Sequence, residues 1–290
     1  MTETTGIGNE YVAFWNEVLV EKFERFRHIL MDGLSYHSDV GLERLEVAPG
    51  SRVLDVGCGW GDTAIQLARR VGQMGSVCGL DCCGAFLEKA RLDAAGEGLQ
   101  NVRFIEADVE THPFEIRFDL CFSRFGMMFF LNPVAAMRNI YSALVPGGRL
   151  RFIVWRRIED NPWLGVPKDV VLNYLSAPGE DARTCGPGPF SMANPDVVDT
   201  QLRVAGFENR RFERIDGPVT VGRSVDEAVA FQLAIGPAGE VIREAGLEAS
   251  SRRDRIEEAL LQQLARYRHP DGSVVMMSSS WMVSAEKLPT

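Results

Sequence analysis

The chain has 290 residues, 46% of which are apolar, and a formal net charge of −9. This length suits one large domain or two small ones, and the apolar content is that of a globular rather than a disordered chain. An acidic chain has little means of neutralising phosphates over a broad face, so we expect no sequence-independent binding to nucleic acid. No apolar run reaches about 18 residues, so the sequence predicts no membrane span.

The N-terminal residues MTETTGIGNE lack the basic and apolar regions of a secretory signal, and we therefore expect a cytoplasmic protein. In a cytoplasmic chain of this size, cysteines are expected to be reduced and mostly buried. Their spacing does not form the paired C-x-x-C pattern of a zinc site, so no metal site is predicted. The cysteines are Cys58, Cys78, Cys82, Cys83, Cys121 and Cys185.

The predicted elements begin with an amphipathic helix over residues 10–32, where apolar residues recur at three- and four-residue steps, and a short helix over 36–46. Strands and helices then alternate, which implies a mainly parallel sheet with helices on both faces. The predicted strands cover residues 51–57, 76–81, 102–108, 118–125 and 148–156, and the predicted helices cover 62–71, 84–98 and 133–145.

After residue 156 the regular alternation ends. The segment 161–175 is predicted to be partly helical, and the segment 176–192 is a loop rich in proline and glycine. No repeat and no clear linker divides the chain, so we expect a single domain. Further helices are predicted over 195–207, 224–246 and 250–267, and further strands over 208–216 and 273–287.

Residues 54–62 read LDVGCGWGD and form a glycine-rich loop between the first predicted strand and the following helix. The spacing G-x-G-x-G lacks the lysine of a phosphate-binding P-loop and is one residue shorter than the G-x-G-x-x-G loop of dinucleotide-binding proteins. Asp55 is unfavourable beside a pyrophosphate but suits a ligand that carries an ammonium group. Gly57, Gly59 and Gly61 are expected to let such a ligand approach the backbone.

Two more carboxylates end the next two predicted strands. Asp81 ends the second strand, where an acidic residue accepts hydrogen bonds from ribose hydroxyls. Asp108 ends the third strand, in place to accept a hydrogen bond from an exocyclic amine such as that of adenine. In strand order, Asp55 would meet a cationic amino-acid head, Asp81 a ribose and Asp108 an adenine. A ligand with these three parts is S-adenosylmethionine.

Five stretches occur in the order found in one known family. They are VLDVGCGWG, GLD, EADVE, FDLCFSRFGMMFFLNP and ALVPGGRLRFIVWR, all within residues 50–156. On these stretches the chain resembles the class I S-adenosylmethionine-dependent methyltransferases. Within that family it resembles the bacterial small-molecule methyltransferases of the ubiquinone/menaquinone biosynthesis type.

The resemblance implies an α/β fold: a Rossmann-like, seven-stranded, mostly parallel sheet with an antiparallel last strand, a helical N-terminal cap and helical lid insertions. Residues 1–290 would form one methyltransferase domain. Residues 1–48 would be the cap and residues 50–156 the cofactor-binding core. Residues 157–290 would complete the sheet and carry substrate-lid insertions at 157–194 and 224–267.

The resemblance also implies a set of residues that bind S-adenosylmethionine. Catalytic residues are harder to predict, because methyl transfer mainly requires alignment of the nucleophile, the carbon and the leaving sulfur, and a base only if the nucleophile arrives protonated. His37 and Arg124 are the catalytic candidates, with a structural role as the alternative for each. The predicted cofactor-binding residues are Asp55, Gly57, Cys58, Gly59, Gly61, Asp81, Cys82, Asp108, Val109 and Ser123.

The expected function is transfer of a methyl group from S-adenosylmethionine to a small, largely apolar acceptor such as an isoprenoid, polyketide or phenolic metabolite. Two alternatives remain open: an NAD(P)-dependent oxidoreductase, and a non-catalytic relative that binds S-adenosylmethionine. The expected partner is a small molecule, and the sequence leaves open whether the protein forms a homo-oligomer. The apolar acceptor is suggested by residues of the predicted lid, namely Trp163, Phe190, Phe231, Leu233 and Trp281.

Overall fold

The computed structural model describes residues 12–177 and 187–289. The first described elements are a π-helical turn, Trp15–Leu19, the helix α1, Val20–Arg25, and a second π-helical turn, Ile29–Gly33. The helix predicted over 10–32 is therefore interrupted near Phe26, which is buried and packs edge-on against Phe231 with ring centroids 5.5 Å apart. The helix predicted from the apolar period is broken there because Phe26 packs into the core. Residues 10 and 11 lie outside the described part.

The sheet has seven strands in the order β3-β2-β1-β4-β5-β7-β6. The first five strands pair in parallel, and β7 is antiparallel to both of its neighbours. The predicted fold class is confirmed. The strands are β1 Arg52–Val56, β2 Ser76–Asp81, β3 Val102–Glu106, β4 Phe118–Arg124, β5 Leu144–Trp155, β6 Glu208–Gly222 and β7 Val274–Glu286.

Of the helices that connect the parallel strands, the one before β5 begins at a side-chain cap. Asn132 accepts a hydrogen bond from the backbone N–H of Ala135 at 2.9 Å, and a proline follows Asn132 in the first turn, where no partner for its nitrogen is needed. The helices up to β5 are α2 Ser35–Glu43, α3 Asp62–Val71, α4 Gly84–Gly96 and α5 Pro133–Ala143.

Helices also occupy the predicted insertions. The helix predicted over 224–246 is two helices, because Gly236 has φ +83° and Pro237 follows it. Residues 178–186, which include Cys185 and part of the predicted lid loop, lie outside the described residues. No helix of the described chain is long and apolar enough to cross a membrane. The later helices are α6 Pro162–Leu172, α7 Pro195–Ala205, α8 Val225–Ala234, α9 Gly236–Ala245 and α10 Leu247–Leu264.

Apolar side chains cover both faces of the sheet. Because successive residues of a strand point to opposite faces, Leu54 and Phe152 join the larger core cluster, while their neighbours Val53 and Ile153 join the other. Since the first five strands are parallel, their carboxyl ends lie on the same side of the molecule. The candidate site lies at these carboxyl ends.

Candidate functional site

A cavity of about 570 Å³ lies at the carboxyl ends of the parallel strands. The last residues of four strands line it: Val56, Asp81, Arg124 and Trp155. The loop after β1, the turns after β2 and β3, the N-terminal helical segment and the helices α6, α8 and α9 complete the wall. The cavity therefore joins the predicted cofactor loop to the predicted lid.

The three glycines of the loop have positive φ but different surroundings. A Cβ on Gly57 would lie 2.9 Å from the Cα of Gly126, and one on Gly61 would lie 2.8 Å from the Cβ of Ala90. A Cβ on Gly59 would meet nothing within 4 Å, and Gly59 lines the cavity. Gly59 is thus the glycine that leaves room for a ligand, whereas Gly57 and Gly61 allow close packing of the protein on itself.

Asp81 links the end of β2 to the glycine loop. Its Oδ2 accepts a hydrogen bond from the backbone N–H of Gly59 at 2.8 Å, and its Oδ1 accepts one from Cys83 at 2.9 Å. Burial raises the pKa of this carboxyl, and the backbone hydrogen bonds oppose the rise. Because a carboxylate oxygen can accept more than one hydrogen bond, Asp81 retains capacity for a ligand in the cavity.

The turn after β3 lies beside Asp81. Asp108 accepts a hydrogen bond from the backbone N–H of Glu110 at 2.8 Å, which holds the carboxylate at the cavity wall. Val109 is buried beside it. Cys58 and Cys82 line the same part of the cavity, so five predicted cofactor-binding residues besides Gly57 and Gly59 meet there: Cys58, Asp81, Cys82, Asp108 and Val109.

Three other predicted cofactor-binding residues, Asp55, Gly61 and Ser123, are not among the residues that line the cavity. Asp55 is fully buried, and its Oδ2 accepts a hydrogen bond from Thr63 Oγ1 at 2.6 Å. Thr63 does line the cavity, so Asp55 reaches it only through this hydroxyl. Burial raises the pKa of Asp55 to about 7. Neither Asp55 Oδ1 nor Ser123 Oγ has a hydrogen-bond partner among the described residues.

The two catalytic candidates have different positions. Arg124 lines the cavity, where it forms an ion pair with Asp62 at 2.9 Å and donates a hydrogen bond to Ser38 at 3.0 Å. His37 is fully buried behind the wall and has no contact with the cavity. The structure therefore places His37 behind the cavity wall, whereas Arg124 lies on it.

The imidazole of His37 bridges two serines of β7. Its Nε2 lies 2.6 Å from Ser278 Oγ, and its Nδ1 lies 2.8 Å from Ser280 Oγ. Ser278 donates its own hydrogen to the carbonyl of Gly217, so it accepts from Nε2, and Ser280 donates to Nδ1. Burial lowers the pKa of His37 to about 4, which keeps the ring neutral.

Aromatic rings form the wall next to Arg124. Phe125 stacks on Trp155 with ring centroids 3.9 Å apart and an interplanar angle of 14°. Phe125 has φ +57°, a backbone conformation that is unusual for a bulky residue and needs support from its surroundings. Trp163 packs edge-on against Trp155, with ring centroids 5.2 Å apart. These rings make one wall of the cavity rigid.

The N-terminal helical segment is tied onto the cofactor end of the cavity. Trp60 of the glycine loop donates to the carboxylate of Glu24, and the guanidinium of Arg27 lies 5.6 Å from the Trp60 ring. The side chain of Asn16 donates to the carbonyl of Cys82 at 3.2 Å. The sequence pattern predicted a helical cap but gave no signal for these contacts, because they join residues far apart in the chain.

The remaining part of the cavity is mainly apolar. Four charged side chains there, Lys22, Lys168, Glu240 and Arg243, were not predicted from the sequence, where they look like ordinary polar positions of surface helices. The apolar residues that line this part are Leu19, Leu30, Leu34, Met128, Phe129, Phe130, Ile158, Trp163, Leu164, Phe190, Phe231, Ile235 and Pro237.

The sequence is similar to those of known methyltransferases. A family model described as a methyltransferase domain matches residues 53–148. The chain is 34% identical over 209 residues to the ubiquinone/menaquinone biosynthesis C-methyltransferase UbiE of Azotobacter vinelandii, and the match covers 68% of this chain and 82% of that protein. It is 33% identical over 124 residues to the aklanonic acid methyltransferase DauC of a Streptomyces species, and this match covers 41% of the chain and 56% of that protein.

A solved structure supports the fold. The phosphoethanolamine N-methyltransferase 2 of Haemonchus contortus, in complex with S-adenosyl-L-methionine, matches with a TM-score of 0.58 at 16% identity over 97% of this chain and 60% of that chain. Fold, motif order and the match to the UbiE protein agree. The chain belongs to the class I S-adenosylmethionine-dependent methyltransferases, in the group that includes the ubiquinone/menaquinone biosynthesis C-methyltransferases.

Proposed function

We propose that this protein transfers a methyl group from S-adenosylmethionine to a small, largely apolar acceptor. The observation that carries the proposal is one continuous cavity, which runs from Gly59, Asp81 and Asp108 to an apolar chamber under the helical cover. One end carries the polar groups that suit the cofactor. The other end presents mainly hydrocarbon and aromatic surface to the second substrate.

The residues at the polar end fit S-adenosylmethionine. The open space at Gly59 admits its methionine part to the loop backbone, and Asp81 is placed for the ribose hydroxyls. Asp108 and Val109 line the cavity beyond Asp81, which supports the proposal that they contact the adenine. Asp55 acts through Thr63 and the loop rather than by direct contact. When bound, the cofactor supplies an electrophilic methyl carbon.

The protein's own contribution is alignment and exclusion of water. Trp155, Phe125 and Trp163 hold a rigid wall against which an acceptor can be oriented. The N-terminal segment, tied to the loop through Glu24 and Trp60, covers the cofactor end. Among the described residues no histidine lines the cavity, so a base for an acceptor that arrives protonated would be a carboxylate or a lysine rather than an imidazole.

The names of two relatives are consistent with this acceptor class. One is a C-methyltransferase of ubiquinone and menaquinone biosynthesis, and the other is an aklanonic acid methyltransferase. The apolar chamber, with rings at Phe129, Phe130, Trp155, Trp163 and Phe231, suits a flat, largely hydrocarbon molecule. We therefore favour a phenolic, polyketide or quinone-like acceptor over a peptide or a nucleic acid.

The test is release of S-adenosylhomocysteine with a panel of acceptors. We expect turnover with phenolic, polyketide or quinol compounds and none with peptides or RNA. Calorimetry is expected to show binding of S-adenosylmethionine and none of NAD(H) or NADP(H). Binding of a nicotinamide cofactor alone would support the oxidoreductase alternative. Cofactor binding without turnover of any acceptor class would support the non-catalytic alternative.

Gly59→Ala and Gly61→Ala are expected to separate cofactor binding from stability. Alanine at Gly59 fills the open space and should weaken S-adenosylhomocysteine binding at least about tenfold, while the positive φ costs about 1–2 kcal/mol of folding free energy. Alanine at Gly61 meets Ala90 and Phe104, so the stability loss should reach about 3 kcal/mol. Urea unfolding and calorimetry measure both effects. Equal losses of affinity and stability in the two variants would contradict the division of roles.

A further inference from the structure

The acceptor chamber contains more basic than acidic side chains. Lys22 lies on α1, Lys168 on α6 and Arg243 on α9, whereas Glu240 is the acidic residue of α9 that faces them. Arg243 is neutralised, because it forms ion pairs with Glu240 at 2.7 Å and with Glu244. The two lysines form no ion pair with these acidic side chains of α9.

Lys168 is placed to act inside the cavity. It follows Leu164 by one helical turn, so the two side chains share a face of α6, and both line the cavity. The residue is half-buried, and α6 packs against α9, α10 and β7. This packing fixes the backbone from which the ammonium reaches into a mostly apolar space.

The ammonium of Lys168 has no hydrogen bond or ion pair to the described residues. The contrast with two other lysines is clear: Lys89 pairs with Asp93, and Lys287 donates to the carbonyls of Tyr141 and Leu144. An anionic ligand that enters the cavity therefore meets an ammonium group that no described residue already binds.

Lys22 adds positive charge to the same chamber. It is half-buried on α1, and burial lowers its pKa. The nearby positive charge of Arg243 lowers this pKa further. The carboxylate of Glu240 opposes this lowering and so partly compensates Lys22. Lys22 and Lys168 thus place two ammonium groups in a chamber whose wall is mostly apolar.

We propose that the acceptor carries an anionic group, a carboxylate or an ionised phenol, and that Lys168 binds it. The proposal rests on the proposed function, since it names the chemical class of the acceptor in that site. The rest of the acceptor lies against the aromatic and aliphatic wall. An acceptor that enters already ionised also accounts for a cavity whose described lining includes no histidine.

The test uses two flat probes of nearly equal size, 2-naphthoate and the neutral 2-naphthamide, with the full chain saturated with S-adenosylhomocysteine. Calorimetry is expected to show that the unaltered protein binds 2-naphthoate about tenfold more tightly than 2-naphthamide. Lys168→Gln should reduce this preference to about twofold or less while leaving 2-naphthamide binding unchanged. Lys168→Arg should retain the preference, and so should the control Lys89→Gln, whose lysine lies outside the cavity.

Equal binding of the two probes by the unaltered protein would overturn the proposal. So would a Lys168→Gln variant that keeps the full preference, or one that loses both probes equally, since that loss would reflect packing rather than charge. Failure of S-adenosylhomocysteine itself to bind would instead refute the proposed function. Calorimetry with that ligand alone, performed first, distinguishes the two failures.

Discussion

Asp81→Asn is expected to weaken binding of S-adenosylmethionine and S-adenosylhomocysteine by about a hundredfold, equivalent to roughly 2.7 kcal/mol. The carboxylate accepts hydrogen bonds from the backbone N–H groups of Gly59 and Cys83, one on each oxygen. An asparagine amide must turn its NH₂ toward one of these donors, so the loop loses an anchor at the point where the ribose is expected. Calorimetry with each ligand measures the loss.

Asp119→Asn is the matched control for Asp81→Asn. Asp119 also accepts a hydrogen bond from a backbone N–H, that of Arg52 at 2.7 Å. It lies near the amino end of β4, so it is at the end of the strands opposite the cavity. Both variants remove a carboxylate that binds backbone, so both should lose about 1–2 kcal/mol of stability. Only Asp81→Asn should lose ligand affinity. Unchanged affinity in Asp81→Asn would exclude Asp81 from the cofactor site.

The pH dependence of stability is expected to change in opposite directions in Asp55→Asn and His37→Gln. Burial raises the pKa of Asp55 from 3.8 to about 7, so its contribution to stability is fully present below pH 3.8 and is lost as the pH rises to 7. Burial lowers the pKa of His37 from 6.5 to about 4, so its contribution is present above pH 6.5 and is lost as the pH falls to 4. Between pH 4 and 6.5 the two effects oppose each other.

The difference between each variant and the unaltered protein isolates the titration of the group that was replaced. The free energy of unfolding of Asp55→Asn, relative to the unaltered protein, should rise between pH 4 and 7 by about 1.4 kcal/mol per pH unit. The same difference for His37→Gln should fall between pH 4 and 6.5 with a similar slope. Urea unfolding at intervals of half a pH unit measures both. Asparagine can still accept the hydrogen bond from Thr63, so Asp55→Asn changes charge with little change in shape.

Only the slopes decide this prediction. His37→Gln also loses contacts with Ser278 and Ser280 and should be less stable at every pH, but that loss does not depend on pH. A flat difference for Asp55→Asn would mean that Asp55 ionises normally and is reached by water. A flat difference for His37→Gln would mean that the imidazole is protonated in the folded protein.

The polar end of the cavity was largely predictable from sequence. Acidic residues at the ends of successive strands are adjacent in space because parallel strands end at one edge, so Asp81 and Asp108 could be placed together without a structure. The sequence could not show that Asp55 and Ser123 point behind the wall. That depends on which face of the sheet each residue occupies and on the packing of the helices against that face.

The acceptor end was not predictable in the same way. Lys22, Lys168 and Arg243 come from three helices that are far apart in the chain, and nothing local distinguishes them from solvent-exposed cations. His37 is the opposite case. Its position after the first helix predicted a place in the site, but in the structure it is buried against β7. Contacts between distant segments decide both cases, and no local pattern records them.

The sequence by itself determined the order of strands and helices, the glycine loop and the carboxylates at the strand ends, because hydrophobic period and turn chemistry act over a few residues. Only the tertiary structure decided which glycine leaves room for a ligand, which charges enter the acceptor chamber and which histidine is buried. Those outcomes depend on how α1, α6 and α9 cover the carboxyl ends of the strands, and that arrangement is set by side-chain packing between segments that are distant in the chain.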